Sequence, residues 1–202
     1  MVRIITFEGA DYSGKSATFI HLAKMLKGTG IVFNEGSVYQ SNLTSRLLTI
    51  AGQANEHERE FIYTTLLLSD AAEARLNPED NRLIIQDRYW PSVVAYGRFL
   101  NGRNSIHWHQ DYSPLFIKPV STIHFSCSVE EKIRRSQRRG RKSVIDDFLL
   151  NNPEKFKDLQ KEIHLATAGL PNFFSIDTSD KSIEDVALAI AQYLEKLEVI
   201  KT

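Results

Sequence analysis

Gly9-Ala10-Asp11-Tyr12-Ser13-Gly14-Lys15-Ser16 stands between the apolar run Ile4-Ile5-Thr6-Phe7 and a segment in which Phe19, Leu22, Ala23 and Leu26 recur at helical spacing. The octapeptide satisfies G-x-x-x-x-G-K-[ST] at every position, with a strand before it and an amphipathic helix after it. Its glycines let the backbone turn N–H groups inward around a phosphate, and the following helix adds its N-terminal dipole. Lys15 is then expected to reach the β- and γ-phosphates, and the Ser16 hydroxyl to ligate magnesium. The bland alternative is a fortuitous Gly-rich turn, and the agreement of pattern and both flanks weighs against it. Gly9 to Ala17 are therefore the candidate binding residues for a nucleoside triphosphate and Mg2+, a reading that a GTPase, a motor ATPase or a small-molecule kinase would equally fit.

Outward from this loop, strand and helix signals alternate along the whole chain. Ile31-Val32-Phe33, Leu83-Ile84-Ile85, Thr122 to Cys127 and Phe173 to Ile176 read as further strands. Arg59 to Leu76 reads as a long helix stopped before Asn77-Pro78, and a final helix starts at Ser182 as N-cap, with Ile183, Val186, Ala187, Ile190 and Leu194 on one face. Near-continuous apolar strands separated by helices predict an α/β fold, a five-stranded parallel sheet covered by helices on both faces. Ligands bind such sheets at the carboxyl ends of the strands, so the polar residues just after them are the candidates.

With 202 residues, 42% of them hydrophobic, the chain suits one domain spanning 1–202 with a full core. Its basic run from Arg134 to Lys142 suggests a lid at about 134–146 within that domain. Lys+Arg 25 against Asp+Glu 25 leaves no global basic field, so no nucleic-acid partner is expected. The single Cys127 lies in an apolar run and has no intrachain partner, as in a reducing cytoplasm. No apolar run reaches membrane-spanning length, so no membrane partner is expected and the expected location is cytoplasmic. His107-Trp108-His109 reads as surface loop in preference to a metal pair, since neither Cys nor a carboxylate supports it.

Phe7-Glu8-Gly9, Asp11, Gly14-Lys15-Ser16, the block Asp87-Arg88-Tyr89-Trp90-Pro91-Ser92-Val93-Val94-Ala95-Tyr96, and the late Ile176-Asp177 occur in an order and spacing that resembles the thymidylate kinase family. The resemblance implies a P-loop NTPase fold, ATP as donor and a nucleoside monophosphate as acceptor. dTMP giving dTDP is the expected reaction, and a homodimer the expected assembly. It implies adenine beside Asp177 and Thr178, and the acceptor among Asp11, Arg46, Asp70, Arg88, Ser92 and Tyr96. Tyr96 would lie under the sugar and disfavour a 2′-hydroxyl. Asp87, ending a strand that faces the loop, can hold magnesium with Ser16, and Arg88 offers a planar fork matched to a phosphate dianion. Some members carry a catalytic arginine straight after the P-loop Asp; here that position is Tyr12. The charge is then expected from the lid, where Arg138, Arg139 and Arg141 join Lys15, Asp87 and Arg88 as catalytic candidates.

The acceptor half departs from the family pattern. The stretch after the second strand is Asn34-Glu35-Gly36-Ser37, without the usual arginine. The long helix has Leu67-Leu68-Ser69-Asp70-Ala71, which keeps the Asp but loses the base-stacking Phe and the base-reading Arg; Val93 and Gly97 replace further polar readers. Two other readings stay open at this point: a deoxynucleoside kinase with Glu35 as general base, and a P-loop switch protein that has lost its acceptor.

Overall fold

A computed structural model describes residues 1–102, 112–139 and 144–200. Five parallel strands, β1 (Arg3–Gly9), β2 (Val32–Glu35), β3 (Leu83–Asp87), β4 (Ser121–Ser126) and β5 (Phe173–Asp177), form one sheet in the order β2-β3-β1-β4-β5. The helices are α1 (Lys15–Met25), α2 (Asn42–Ala51), α3 (Glu56–Leu76), α4 (Trp90–Asn101), α5 (Val129–Arg139), α6 (Val144–Asn151), α7 (Pro153–Thr167) and α8 (Ile183–Lys196). The expected α/β sheet is present, and each strand seen in the sequence lies within about two residues of its observed ends.

Alternation along β1 divides the core. Ile5 and Phe7 face a cluster with Phe19 and Leu22 of α1 and Val186, Ile190 and Leu194 of α8. Ile4 faces the other side, with Leu67 and Ala74 of α3 and Ile84 of β3. A third cluster joins Ala95 of α4, Leu149 of α6 and Phe156, Leu159 and Ile163 of α7. Full burial of Phe156, Leu159 and Ile163 stabilises the fold by roughly 1.5–3 kcal/mol per side chain. Ser182 caps α8 as expected, accepting from the Asp185 N–H at 3.0 Å.

β1 has β3 on one side and β4 on the other, with Phe7 opposite Asp87 and Gly9 opposite Phe125. The loop after β1 and the Asp87-Arg88 turn after β3 therefore emerge side by side at the carboxyl edge, where an open parallel sheet accepts its ligand. Among the described residues no helix is long and apolar enough to cross a membrane.

Candidate active site at the carboxyl edge of the sheet

The glycine-rich loop is shaped by two requirements that only glycine meets. A Cβ on Gly9 would lie 2.7 Å from the Phe125 carbonyl oxygen, so β1 can approach β4 only without one. Gly14 has φ +84 and stands as N-cap of α1, a left-handed conformation that carries the chain from loop into helix. Between them Ala10 and Ser13 are buried, and Tyr12 is also buried, at φ +68. Ser16 and Ala17 face outward in the first turn of α1.

Lys15 is not open to solvent: its side chain is 5% exposed, and its ammonium is ion-paired with the Asp87 carboxylate. Burial lowers its pKa, against which the Asp87 carboxylate works to keep the charge. This pairing, between residues 72 apart in sequence, neutralises two groups that a triphosphate and its cation would otherwise meet.

Beside it lies a second charged group. Arg88 Nη2 donates to Asp11 Oδ1 at 2.8 Å, Tyr96 Oη donates to Asp11 Oδ2 at 3.1 Å, and the Arg88 guanidinium sits 5.1 Å from the centre of the Tyr96 ring. Burial would raise the Asp11 pKa, but Arg88 and Lys15 hold it below the ordinary carboxylate value. Burial also works against the Arg88 charge, yet Tyr96, Asp11, Asp87 and Glu8 together raise its pKa. Arg88 has φ +64, and its N–H donates to the Phe7 carbonyl at 3.0 Å, which anchors the turn that aims the side chain. These groups line one end of a cavity of about 360 Å³ whose walls are α3, with Tyr63, Leu67 and Asp70, and α4, with Ser92, Val93, Gly97 and Leu100.

Sequence reasoning passed over Glu8. It is 0% exposed and accepts from Thr6 Oγ1, from Ser92 Oγ and from the Tyr89 N–H at 2.9 Å, joining β1 to the start of α4. Burial pushes its carboxyl from 4.5 up to about 7, although those hydrogen bonds oppose the shift. Between those two values the folded protein keeps a proton that the unfolded chain releases, so stability is lost as pH rises through the window. The nucleotide-free protein is accordingly expected to melt at lower temperature near pH 8 than near pH 5, and Glu8→Gln to flatten that slope. Parallel melting profiles for the two proteins would remove Glu8 as the cause.

Several candidates take positions that the sequence did not indicate. Asp70 lines the cavity, but its two oxygens accept from Ser37 Oγ at 2.6 Å, Val38 N–H at 2.8 Å and Tyr39 N–H at 3.0 Å. It clamps the loop after β2, which limits what it can offer a ligand. Arg46 is exposed on α2 and does not line the cavity; Glu35 is exposed at the end of β2 and does not line it either. Thr178 is buried against the phosphate loop, its hydroxyl donating to the Ser13 carbonyl at 2.8 Å, while Asp177 accepts from Ser179. Arg138 is exposed on α5; the Arg139 side chain, Arg141 and His107-Trp108-His109 lie outside what the structure describes. Among the described residues, the lid-helix arginine that reaches the loop is Arg135, which the sequence does not single out: it donates to the Tyr12 carbonyl at 2.9 Å. No spacing signal separates it from its neighbours, because which face of α5 meets the loop is set by packing.

Three comparisons bear on this arrangement. A sequence profile of the thymidylate kinase family matches residues 7–190. A thymidylate kinase from Aliarcobacter butzleri (strain RM4018) is 27% identical over 196 residues, covering 94% of this chain and 97% of that protein. Among solved structures, thymidylate kinase from Candida albicans, described as revealing the origin of that enzyme's broad substrate specificity, superposes with TM-score 0.70 at 20% identity, over 98% of this chain and 92% of its own. Thymidylate kinase from Ehrlichia chaffeensis gives 0.67 at 15% identity, over 96% and 98%. At those identities the structural likeness establishes the P-loop NTPase fold.

Proposed function

The chain belongs to the thymidylate kinase family, and from that premise we propose how its residues divide the transfer of the ATP γ-phosphate to dTMP. Membership makes it an ATP-dependent nucleoside monophosphate kinase. ATP is assigned to Gly9 through Ala17, with Lys15 on the β- and γ-phosphates and the adenine beside Asp177 and Thr178. The acceptor is assigned to the cavity between α3 and α4, its phosphate on Arg88, with Asp11, Ser92, Tyr96, Asp70 and, on closure of α2, Arg46 around it. The observation that carries this division is the Asp11–Arg88–Tyr96 group, which through Asp11 joins the phosphate loop to the lining of the cavity. A guanidinium there can grip a phosphate dianion in two places, and a tyrosine ring beside it limits the room at the sugar.

Lys15 and Asp87 neutralise each other as an ion pair, and a triphosphate on the loop would offer Lys15 a stronger partner. The hard oxygens of Ser16 and Asp87 suit magnesium, and they are the residues that would hold it. When bound there, magnesium neutralises charge on the β- and γ-phosphoryl oxygens. The protein's own contribution is positioning and charge: Arg88 orients the attacking phosphate, Lys15 steadies the transferred one, and Arg138, Arg139 and Arg141 are assigned to complete the positive surround when the lid closes. A homodimer and a cytoplasmic location belong to the same proposal; exposed Leu43 and Ile50 on α2 and Phe61 on α3 support a partner there.

The test is an ADP-release assay over deoxy and ribo monophosphates of all bases, at sub-saturating acceptor. Tyr96 should make deoxy acceptors better than ribo. Because Ala71, Val93 and Gly97 stand where polar readers of thymine are usual, kcat/KM for dTMP is expected about tenfold or more below that of a dedicated enzyme, the worth of one buried hydrogen bond. Full efficiency with dTMP would mean that other residues read the base, and activity on nucleosides alone would overturn the assignment of the acceptor phosphate to Arg88.

A further inference from the structure

Arg135 turns its guanidinium away from solvent and onto the back of the phosphate loop. Nη1 donates to the Tyr12 carbonyl and to Thr178 Oγ1, both at 2.9 Å; Nη2 donates to the Thr178 carbonyl at 2.7 Å; Nε donates to Glu131, one turn earlier on α5. Thr178 Oγ1 in turn donates to the Ser13 carbonyl at 2.8 Å, and the Thr178 N–H to the Ser126 carbonyl at 3.0 Å. The Cys127 thiol adds a weak donor to the same Tyr12 carbonyl at 3.6 Å. A Cβ on Gly14 would come within 3.1 Å of Arg135 Nη1, so the guanidinium is packed against the backbone itself.

The consequence follows from peptide geometry. In a planar trans peptide the C=O and the next residue's N–H point in opposite directions. Holding the Tyr12 and Ser13 carbonyls outward therefore turns the Ser13 and Gly14 N–H groups to the other side. There the Ser13 N–H closes the turn on the Ala10 carbonyl at 3.2 Å. Tyr12 at φ +68 is a left-handed non-glycine residue, a conformation that persists only where the surroundings enforce it. Arg135, at the Tyr12 carbonyl, and Thr178, at the Ser13 carbonyl, are among those surroundings. Both lie outside the loop motif, one on the lid helix and one after the last strand.

We propose that Arg135 is a positioning residue for the donor nucleotide: from α5 it holds the phosphate loop in its binding shape, so that ATP affinity depends on the seating of the lid helix. The proposal rests on the reading of Gly9 to Ser16 as the donor site. It assigns Arg135 no contact with phosphate, since four of its five N–H groups are directed to Tyr12, Thr178 and Glu131.

Three variants test it, Arg135→Gln, Arg135→Lys and Thr178→Val, each compared with the unaltered protein in two ways. The first is amide hydrogen exchange across Gly9 to Ser16 without nucleotide; the second is MgADP affinity by calorimetry, alongside KM for both substrates. Arg135→Gln should speed exchange at Gly14 and Lys15 and weaken MgADP by about tenfold or more, with KM for the monophosphate within about twofold, because lost preorganisation appears where the loop binds. Arg135→Lys should recover little, as a point charge cannot hold two carbonyls and a hydroxyl at once. Thr178→Val should move both readouts the same way. An Arg135→Gln protein that melts earlier but keeps wild-type loop exchange and MgADP affinity would overturn the proposal and leave Arg135 a staple of α5. Failure of the unaltered protein to phosphorylate any monophosphate would overturn the kinase assignment instead, while loop exchange would still decide the role of Arg135.

Discussion

Lys15→Ala is expected to lower phosphoryl transfer by about 10²–10³-fold, the scale for removing a charge aimed at a developing anion. Burial alone would favour a neutral amine, so a lysine held charged there by Asp87 is a group kept ready for phosphate oxygens. The same substitution leaves the Asp87 carboxylate, 11% exposed, without its partner, which is expected to cost about 1–3 kcal/mol of stability. Loss of activity must therefore be separated from loss of fold. Lys15→Ala combined with Asp87→Asn should recover most of the melting temperature and none of the turnover. Turnover near wild type in a folded Lys15→Ala protein would sink the assignment of the loop to the donor.

Arg88→Lys is expected to reduce kcat/KM for the monophosphate on the order of 10²-fold and to change KM for ATP by no more than about threefold. The substitution keeps the positive charge, so a large effect would come from the lost fork. Asp11 holds one arm of that fork at 2.8 Å, and Tyr96 supports its face. A lysine ammonium can hold Asp11 or a phosphate oxygen, but it cannot present two parallel donors while staying pinned. If KM for ATP rises and the acceptor is unaffected, Arg88 belongs to the donor half and the acceptor cavity has been assigned to the wrong end.

The cavity proposed for the acceptor departs from the family pattern, while the residues proposed for the donor and the transfer keep it. The phosphate loop, Asp87, Arg88 and Tyr96 are assembled at one edge, whereas the α3–α4 walls present Leu67, Val93, Gly97 and Leu100 where base contacts would form. The polar groups on those walls are largely engaged with each other: Arg59 with Glu56 at 2.9 Å, and Asn101 with Glu60 at 2.7 Å. On the proposed assignment, base selection by this chain is expected to depend more on the shape of the slot than on hydrogen-bond reading.

The sequence alone determined the strand–loop–helix unit at Gly9 to Ser16 and the parallel α/β class, and it pointed to Asp87-Arg88 and Tyr96 as candidates that the structure places together. Those features are local: a phosphate cradle is the backbone path of eight consecutive residues, and strand and helix periods are read over a few more. α7 escaped notice although Phe156, Leu159, Ile163 and Thr167 carry a helical period, and with it went the third core cluster that seats α4. Asp70, expected at the ligand, lines the cavity and also clamps the loop after β2, a second task the sequence did not indicate because its partners Ser37 to Tyr39 come from a segment 31 to 33 residues away. Glu8 was quoted within a motif without a role, since its partner Ser92 lies 84 residues on. The choice of Arg135 from a run of near-identical arginines was made by the packing of α5 against the phosphate loop. Side-chain partnership across tens of residues follows from strand order and register, Phe7 against Asp87 above all, and these exist only once the sheet has formed.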